Sequence, residues 1–128
     1  MNSRIADPAL APEGHRRIEW ARRHMPVLHR LLEERLGDGA LNGRKVAVVV
    51  HLEAKTACLV LALQEAGAQV VAAGSNPLST QDAVCAALVE RGVEVHARHG
   101  VSQDAFTADL LAVAETGPEL RRRRACRR

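Results

Sequence analysis

KVAVVVH, at residues 45–51, is the stretch that decides the fold. Its unbroken run of apolar, mostly β-branched residues is typical of a strand that is buried on both faces of a parallel sheet. Two further apolar stretches follow, QVVAAG at 69–74 and VEVHA at 93–97, and each predicts another strand. Helical composition lies between the three, so strand and helix alternate along the chain.

The helices predicted around these strands complete the pattern. They cover residues 53–66, 80–92 and 102–115. Gly67 and Gly92 are placed to end the first two, and Ser102 is a candidate cap for the third. Alternation with short connections predicts an α/β fold, with a Rossmann-like parallel sheet remnant of about three strands flanked by helices.

A helical segment precedes the sheet. Residues 13–36 place apolar side chains at spacings of three and four along one helical face: Ile18, Ala21, Met25, Leu28 and Leu32. Pro26 interrupts this segment, because its ring removes an amide donor and clashes with the preceding turn, and we expect a kink or two abutting helices. GDGALNG at 37–43 then predicts a loop.

Amino-acid composition indicates which side chains fill the core and in which cellular compartment we expect the protein. Hydrophobic residues make up 47% of the 128, yet Trp20 and Phe106 are the only aromatic ones, so Ala, Val and Leu must fill the core. No apolar run approaches the roughly 18 residues of a membrane span, and the N-terminus has no signal pattern, so we expect a cytoplasmic protein. Cys58, Cys85 and Cys126 lack C-x-x-C spacing, which predicts reduced thiols.

Charge separates the body of the chain from its end. The net charge is +3, but RRRRACRR at 121–128 holds six of the 18 basic residues and no acidic one. The preceding residues therefore carry 12 basic against 15 acidic side chains, which gives no reason to expect nucleic acid as a partner. We expect one domain over residues 1–120 and a disordered Arg-rich tail over 121–128, with a basic arm for RNA or anionic surfaces as the alternative.

Polar residues follow the first two predicted strands, at the edge where an open parallel sheet binds its ligands. His51 comes at the tip of the first strand, with Lys55 at the opening of the next helix. GSNPLSTQD at 74–82 follows the second strand, and Ser79 or Thr80 is placed to cap the helix after it. On pattern alone, a solvated histidine and an ordinary capped turn also explain these segments. The residues by themselves therefore support only the hypothesis that the two segments form a pocket.

The sequence gives no evidence for a metal site, a dinucleotide-binding motif or a phosphate loop. The remaining histidines are not grouped with acidic or thiol ligands at metal-binding spacing, which predicts no metal site: His15, His24, His29, His96 and His99. Neither G-x-G-x-x-G nor G-x-x-x-x-G-K-[ST] occurs, so the chain offers no dinucleotide or phosphate-loop motif of its own.

The two strand-end segments resemble a known family. HLEAKTA and GAQVVAAGSNPLSTQDAVCAAL are similar to the substrate-binding domain of adenosylhomocysteinase, and the likeness runs from about Ile5 to Glu119. The resemblance implies NAD-dependent, reversible hydrolysis of S-adenosyl-L-homocysteine to adenosine and L-homocysteine, a step of the one-carbon methyl cycle. It also implies a homotetramer with bound NAD for the full-length enzyme, and adenosine or S-adenosylhomocysteine as the small-molecule partner.

The same resemblance assigns roles to particular residues. His51 would lie near the ribose and the leaving group as the catalytic proton-transfer residue. The substrate-binding residues that the family motifs imply are Glu53, Lys55, Thr56, Asn76, Leu78, Ser79 and Gln81. HLEAKT stands where many members carry HMTxET, so Lys55 replaces a glutamate at the base edge, and we expect a shift toward a keto base such as hypoxanthine.

The end of the chain departs from the family. Members continue after this point into a strand, an Asp-Asp-Gly-Gly stretch and the NAD domain, whereas this chain has RRRRACRR. We expect a truncated or frame-disrupted product that lacks a fourth strand, has an unpaired sheet edge, binds no NAD and does not hydrolyse substrate by itself. A non-catalytic adenosine-binding module, a truncated pseudo-enzyme and a small α/β scaffold with a polyanion-binding tail remain the alternatives.

Overall fold

A parallel sheet forms the centre of the computed structural model, which describes the backbone of residues 2–123 and the side chains of residues 2–119. The strands are β1 (Lys45–Val50), β2 (Gln69–Gly74), β3 (Glu94–His96) and β4 (Leu120–Arg123). They lie in the order β3-β2-β1-β4, and every pairing is parallel. The predicted α/β class is confirmed, and β1, β2 and β3 lie where the sequence predicts strands.

Helices flank this sheet and precede it. They are α1 (Ala11–Arg23), α2 (Pro26–Leu31), α3 (Ala54–Glu65), α4 (Asp82–Glu90) and α5 (Gln103–Glu115), with 3-10 turns at Pro8–Leu10 and Pro77–Ser79 and a π-helical turn at Leu32–Leu36. The expected break at Pro26 is confirmed, because this proline begins α2, where its missing amide needs no partner. Ser102 caps α5 as predicted, since its hydroxyl accepts from the Ala105 amide at 3.2 Å.

Strand β1 is buried on both faces, as its sequence predicts. The larger core on one face joins its even-numbered valines to side chains of α1, α3 and α4: Val46, Val48, Val50, Ile18, Val60, Val84 and Leu88. On the opposite face, Ala47 packs with Val71 of β2 and Val113 of α5. Helices therefore cover both faces of the sheet, and small aliphatic side chains fill the core, as the composition requires.

The N-terminal residues extend the sheet beyond β3. The Arg4 amide donates to the Val95 carbonyl at 2.8 Å, and the Arg4 carbonyl accepts from the Ala97 amide at 3.0 Å. Asp109 of α5 is buried next to this contact, where Arg98 donates to it at 3.1 Å and the guanidinium of Arg4 lies 4.0 Å away. The outer edge of β3 is thereby partly covered.

The fourth strand corrects the expectation that this chain lacks one. Residues 46–49 of β1 pair in parallel with residues 120–123, and the Glu119 amide donates to the Lys45 carbonyl at 2.9 Å. The expectation was wrong because it was drawn from side-chain composition, whereas the edge of β1 offers backbone groups that any extended segment can satisfy. The predicted boundary at 120/121 falls inside β4, and residues 124–128, including Cys126, lie outside the described part of the chain.

Candidate functional site

The loops that follow β1 and β2 are joined by backbone hydrogen bonds. The Ser75 amide donates to the Val50 carbonyl at 2.9 Å, and the Gln81 amide donates to the Leu52 carbonyl at 3.0 Å. Val50 ends the register between the two strands, so His51 and Ser75, the next residue on each, leave the sheet side by side. The two segments of the pocket hypothesis therefore meet at the carboxyl edge of the sheet, where ligands of such folds bind.

The ring of His51 faces two serine hydroxyls. Its Nδ1 lies 2.5 Å from Oγ of Ser79 and 3.4 Å from Oγ of Ser75. All three side chains are partly buried, so the cluster lies at the edge of the sheet and is not sealed in the core. Ser75 was not among the predicted site residues. Its position directly after β2 matches that of His51 after β1, and strand register is the signal that would have found it.

Thr56 and Glu53 hold the loop after His51 against helix α3. Thr56 Oγ1 donates to the His51 carbonyl, and the Thr56 amide donates to Glu53 Oε1 at 3.0 Å. The Glu53 amide donates in turn to Thr56 Oγ1 at 3.1 Å, which completes a capping box with Glu53 as the N-cap. Both residues therefore lie next to His51, and the Glu53 carboxylate occupies the N-terminus of the helix. Their predicted contact with substrate stays a prediction.

Asn76 organises the loop after β2. Its Oδ1 accepts from the Leu78 amide at 2.9 Å, and its carbonyl accepts from the hydroxyls of Ser79 and Thr80 at 3.1 Å each. The expectation that Ser79 or Thr80 caps α4 was wrong. Gln81 holds that N-cap position without a side-chain hydrogen bond, because both hydroxyls are used inside the loop.

Three other predicted substrate-binding side chains belong to the same two segments, and their surroundings differ from those of the His51 cluster. Lys55 is exposed on the first turn of α3. Leu78 is 76% exposed, an unusual state for a leucine that an apolar ligand face could cover. Oε1 of Gln81 accepts from Nη1 of Arg17 at 3.3 Å. The structure therefore joins His51 to Ser79 and Thr56 directly, and the predicted substrate contacts of Lys55, Leu78 and Gln81 stay predictions.

A second polar cluster lies at the end of β3. His96 is buried, and its Nε2 lies 2.8 Å from Oε1 of Glu94. The expectation that no acidic group accompanies this histidine was wrong, since residues two apart on a strand share a face. Within residues 2–119, no group of three or more His, Cys, Asp or Glu side chains is arranged to hold a metal ion.

The two cysteines of the described part are free and buried. Burial raises the pKa of the Cys85 thiol to about 12, and burial also raises the pKa of Cys58. A thiol that stays protonated is a poor nucleophile and a poor metal ligand. Both cysteines therefore pack as small apolar side chains.

Comparison with known protein families covers nearly the whole chain. A family model described as S-adenosyl-L-homocysteine hydrolase matches residues 2–121. The chain belongs to the S-adenosyl-L-homocysteine hydrolase family. The resemblance carried by the two strand-end segments is thereby confirmed.

Relatives in the S-adenosyl-L-homocysteine hydrolase family carry two substrate names. S-inosyl-L-homocysteine hydrolase of Methanococcus maripaludis is 47% identical over 118 residues, which are 92% of this chain and 28% of that protein. Adenosylhomocysteinase of Aeropyrum pernix is 46% identical over 117 residues, and that of Pyrococcus abyssi 47% over 116, in each case 91% of this chain and 28% of the relative. The chain thus spans about 28% of the length of these relatives.

Proposed function

We propose that this chain forms part of the nucleoside-binding side of an enzyme that reversibly hydrolyses S-adenosyl-L-homocysteine, or its inosyl counterpart, to the nucleoside and L-homocysteine. The observation that carries the proposal is the His51 cluster: an imidazole at the carboxyl edge of β1, with its ring on two hydroxyls and its carbonyl bound to α3. Family membership supplies the reaction class, and the names of the relatives supply the two bases.

His51 is the proposed catalytic residue. It transfers a proton at the ribose or at the leaving sulfur, a task that imidazole performs well near neutral pH. Glu53 and Thr56 hold the loop that carries it, through the capping box of α3. Asn76 and Ser79 support it from the loop after β2, and they line the nucleoside side of the same edge.

Lys55 is the proposed contact at the edge of the base, with Leu78 against a face of the base and Gln81 beside them. The exposed ammonium of Lys55 can only donate hydrogen bonds. The 6-keto oxygen of hypoxanthine accepts such a bond, whereas the 6-amino group of adenine is itself a donor. We therefore propose that Lys55 shifts base choice toward hypoxanthine.

The described residues do not fit NAD, which the family reaction uses. In dinucleotide-binding sheets the pyrophosphate lies on free amides at the N-terminus of the helix that follows a strand. After β1 the Glu53 carboxylate occupies that position and would repel a pyrophosphate, and after β2 the first turn of α4 carries the carboxylate of Asp82, which would repel it as well. NAD is therefore assigned to none of the residues that the structure describes.

Titration calorimetry of the 128-residue chain with adenosine and with inosine tests the site and its base preference. We expect inosine to bind about tenfold more tightly, since a hydrogen bond to a charged group contributes about 1.5–3 kcal/mol and about 1.4 kcal/mol is tenfold. Lys55→Glu should reverse the order, and Arg23→Glu, the same charge change on an exposed part of α1, should leave both affinities unchanged. An unaltered preference in Lys55→Glu would overturn the role of Lys55, and binding of neither nucleoside would overturn the site.

A non-catalytic nucleoside-binding module, or a truncated pseudo-enzyme, is the second candidate. It is favoured by the contacts of His51 with Ser79 and Thr56, which lie within residues 51–79, while the described helix N-termini next to this site do not fit NAD. We expect the isolated chain to release no homocysteine from either substrate, even with NAD. Mixing it with the complementary part of the Aeropyrum pernix relative distinguishes the candidates: restored turnover supports the enzyme, and binding without turnover supports the module.

The proposal also includes the family's homotetramer and a cytoplasmic location for the whole enzyme. No helix within residues 2–123 is long and apolar enough to cross a membrane. Sedimentation of the reconstituted enzyme tests the tetramer. A polyanion-binding role for residues 121–128 stays a separate prediction, which requires salt-sensitive RNA binding that is lost when those residues are deleted.

A further inference from the structure

The hydroxyl of Ser79 lies between a ring nitrogen and a carbonyl. Its Oγ is 2.5 Å from Nδ1 of His51 and 3.1 Å from the carbonyl oxygen of Asn76. A carbonyl only accepts hydrogen bonds, whereas a hydroxyl has one hydrogen to donate and lone pairs that accept. When Ser79 donates to Asn76, its lone pairs face Nδ1, and Nδ1 must then carry the proton of that hydrogen bond.

We infer that Ser79 is a positioning residue that holds neutral His51 in the Nδ1–H tautomer, through a relay from the ring to Ser79 and on to the Asn76 carbonyl. This arrangement makes two hydrogen bonds. The opposite tautomer turns the Ser79 hydrogen toward the ring and makes only one of the two. Ser75 Oγ, 3.4 Å from Nδ1, is a second and weaker acceptor for the same ring proton.

The tautomer decides which ring nitrogen can take up a proton. With Nδ1 protonated, the lone pair of the neutral ring is on Nε2, and His51 accepts protons there. In serine proteases a carboxylate fixes the histidine tautomer in the same way. The relay in this chain is uncharged, so it orients the ring without adding a negative charge to stabilise the imidazolium. The catalytic meaning of this assignment rests on the proposed function, whereas the tautomer itself does not.

Nitrogen-15 NMR of the intact 128-residue chain, labelled at histidine and measured above the titration of the rings, tests the inference directly. Two-bond couplings distinguish protonated from unprotonated ring nitrogens, and loss of one signal set in His51→Gln assigns His51 among the six histidines. We expect Nδ1–H to be the major form. Ser79→Ala should shift the majority to Nε2–H, Ser79→Thr should keep Nδ1–H, and Ser75→Ala, the matched hydroxyl deletion at 3.4 Å, should also keep it.

A wild-type ring that carries its proton on Nε2 would overturn the relay, and so would an unchanged tautomer in a folded Ser79→Ala variant. If Ser79→Ala does not fold, loss of Nδ1–H in folded Ser79→Thr, or its absence from the wild type, still overturns the inference. The same labelled samples are titrated with adenosine and inosine. Failure to bind either nucleoside, with Nδ1–H intact, overturns the proposed function but does not affect the tautomer assignment.

Discussion

At the scale of the residue, Glu53 is both the N-cap of α3 and a neighbour of His51. Its contribution to stability as an N-cap can be measured separately. Its carboxylate accepts from the Thr56 amide at 3.0 Å. We predict that Glu53→Ala lowers the free energy of unfolding by about 1 kcal/mol, the usual contribution of an N-cap, as measured by urea unfolding. Glu65→Ala, which removes the same side chain from the exposed far end of α3, should change it by less than about 0.5 kcal/mol. Equal losses would show that the cap contributes nothing specific.

Cys85 makes stability depend on pH at the alkaline end. Burial raises the pKa of its thiol from 9.0 to about 12, so the folded protein keeps a proton that the unfolded chain loses. The thiol's contribution is therefore full below pH 9.0 and is lost as the pH rises toward 12, by at most about 1.4 kcal/mol per pH unit. We predict that Cys85→Ala flattens this decline in urea unfolding measured on both sides of pH 9.0.

The comparison for Cys85 is the slope of stability against pH, not the stability at one pH, because the substitution also removes packing. The chain has no tyrosine, whose phenol would otherwise titrate in the same range. Any lysine contribution is common to both proteins and cancels. A decline of the same steepness in the parent and in Cys85→Ala would contradict the prediction.

At the scale of the element, helices α1 and α4 pack closely against each other at Gly14. A Cβ atom on Gly14 would overlap the carbonyl of Ala83 and lie 2.7 Å from Cβ of Ala87. Gly→Ala gains about 1 kcal/mol in an open helix, but overlap in a packed contact costs about 1–3 kcal/mol, and a helix carbonyl cannot rotate away as a side chain would. We predict that Gly14→Ala is destabilising, by about 1–2 kcal/mol net, in thermal or urea unfolding.

Arg23→Ala is the control for Gly14→Ala, since it places an alanine at an exposed position of the same helix and should change stability by less than about 0.5 kcal/mol. A Gly14→Ala protein as stable as the parent would mean that α1 and α4 can separate without loss. In that case the close helix contact would not contribute to the position of α4 behind the His51 cluster.

Local sequence pattern predicts best those elements whose ends are marked by residues such as glycine or whose side chains repeat with a regular spacing. Helix α3 ends before Gly67, and α4 ends before Gly92, each with the positive φ that favours glycine. Strand β4 had no such signal, because an arginine run has no strand periodicity, and its pairing depends on the edge of β1 being next to it. Local signals therefore predicted the helix ends and the first three strands, and failed for the strand that long-range pairing creates.

At the scale of the whole molecule, β1 lies inside the sheet only because β4 pairs with its outer edge. We predict that a chain ending at Glu119 exposes this edge and self-associates at concentrations where the parent chain is monodisperse in sedimentation velocity. A chain ending at Arg123, which keeps β4, is the matched control and should sediment like the parent. Identical behaviour of the two truncated chains would show that β4 does not protect the edge.

The sequence by itself determined the α/β class, the order of the first three strands and their helices, and the two strand-end segments that contain His51 and Ser79. These follow from side-chain spacing and turn residues, which act over a few neighbours along the chain. Only the tertiary structure decided that Ser79 bonds the His51 ring, that Ser75 lies beside it, and that neither Ser79 nor Thr80 caps α4. Those contacts join residues 28 and 24 positions apart, and they exist because β1 and β2 are neighbours in one register, which no local pattern specifies.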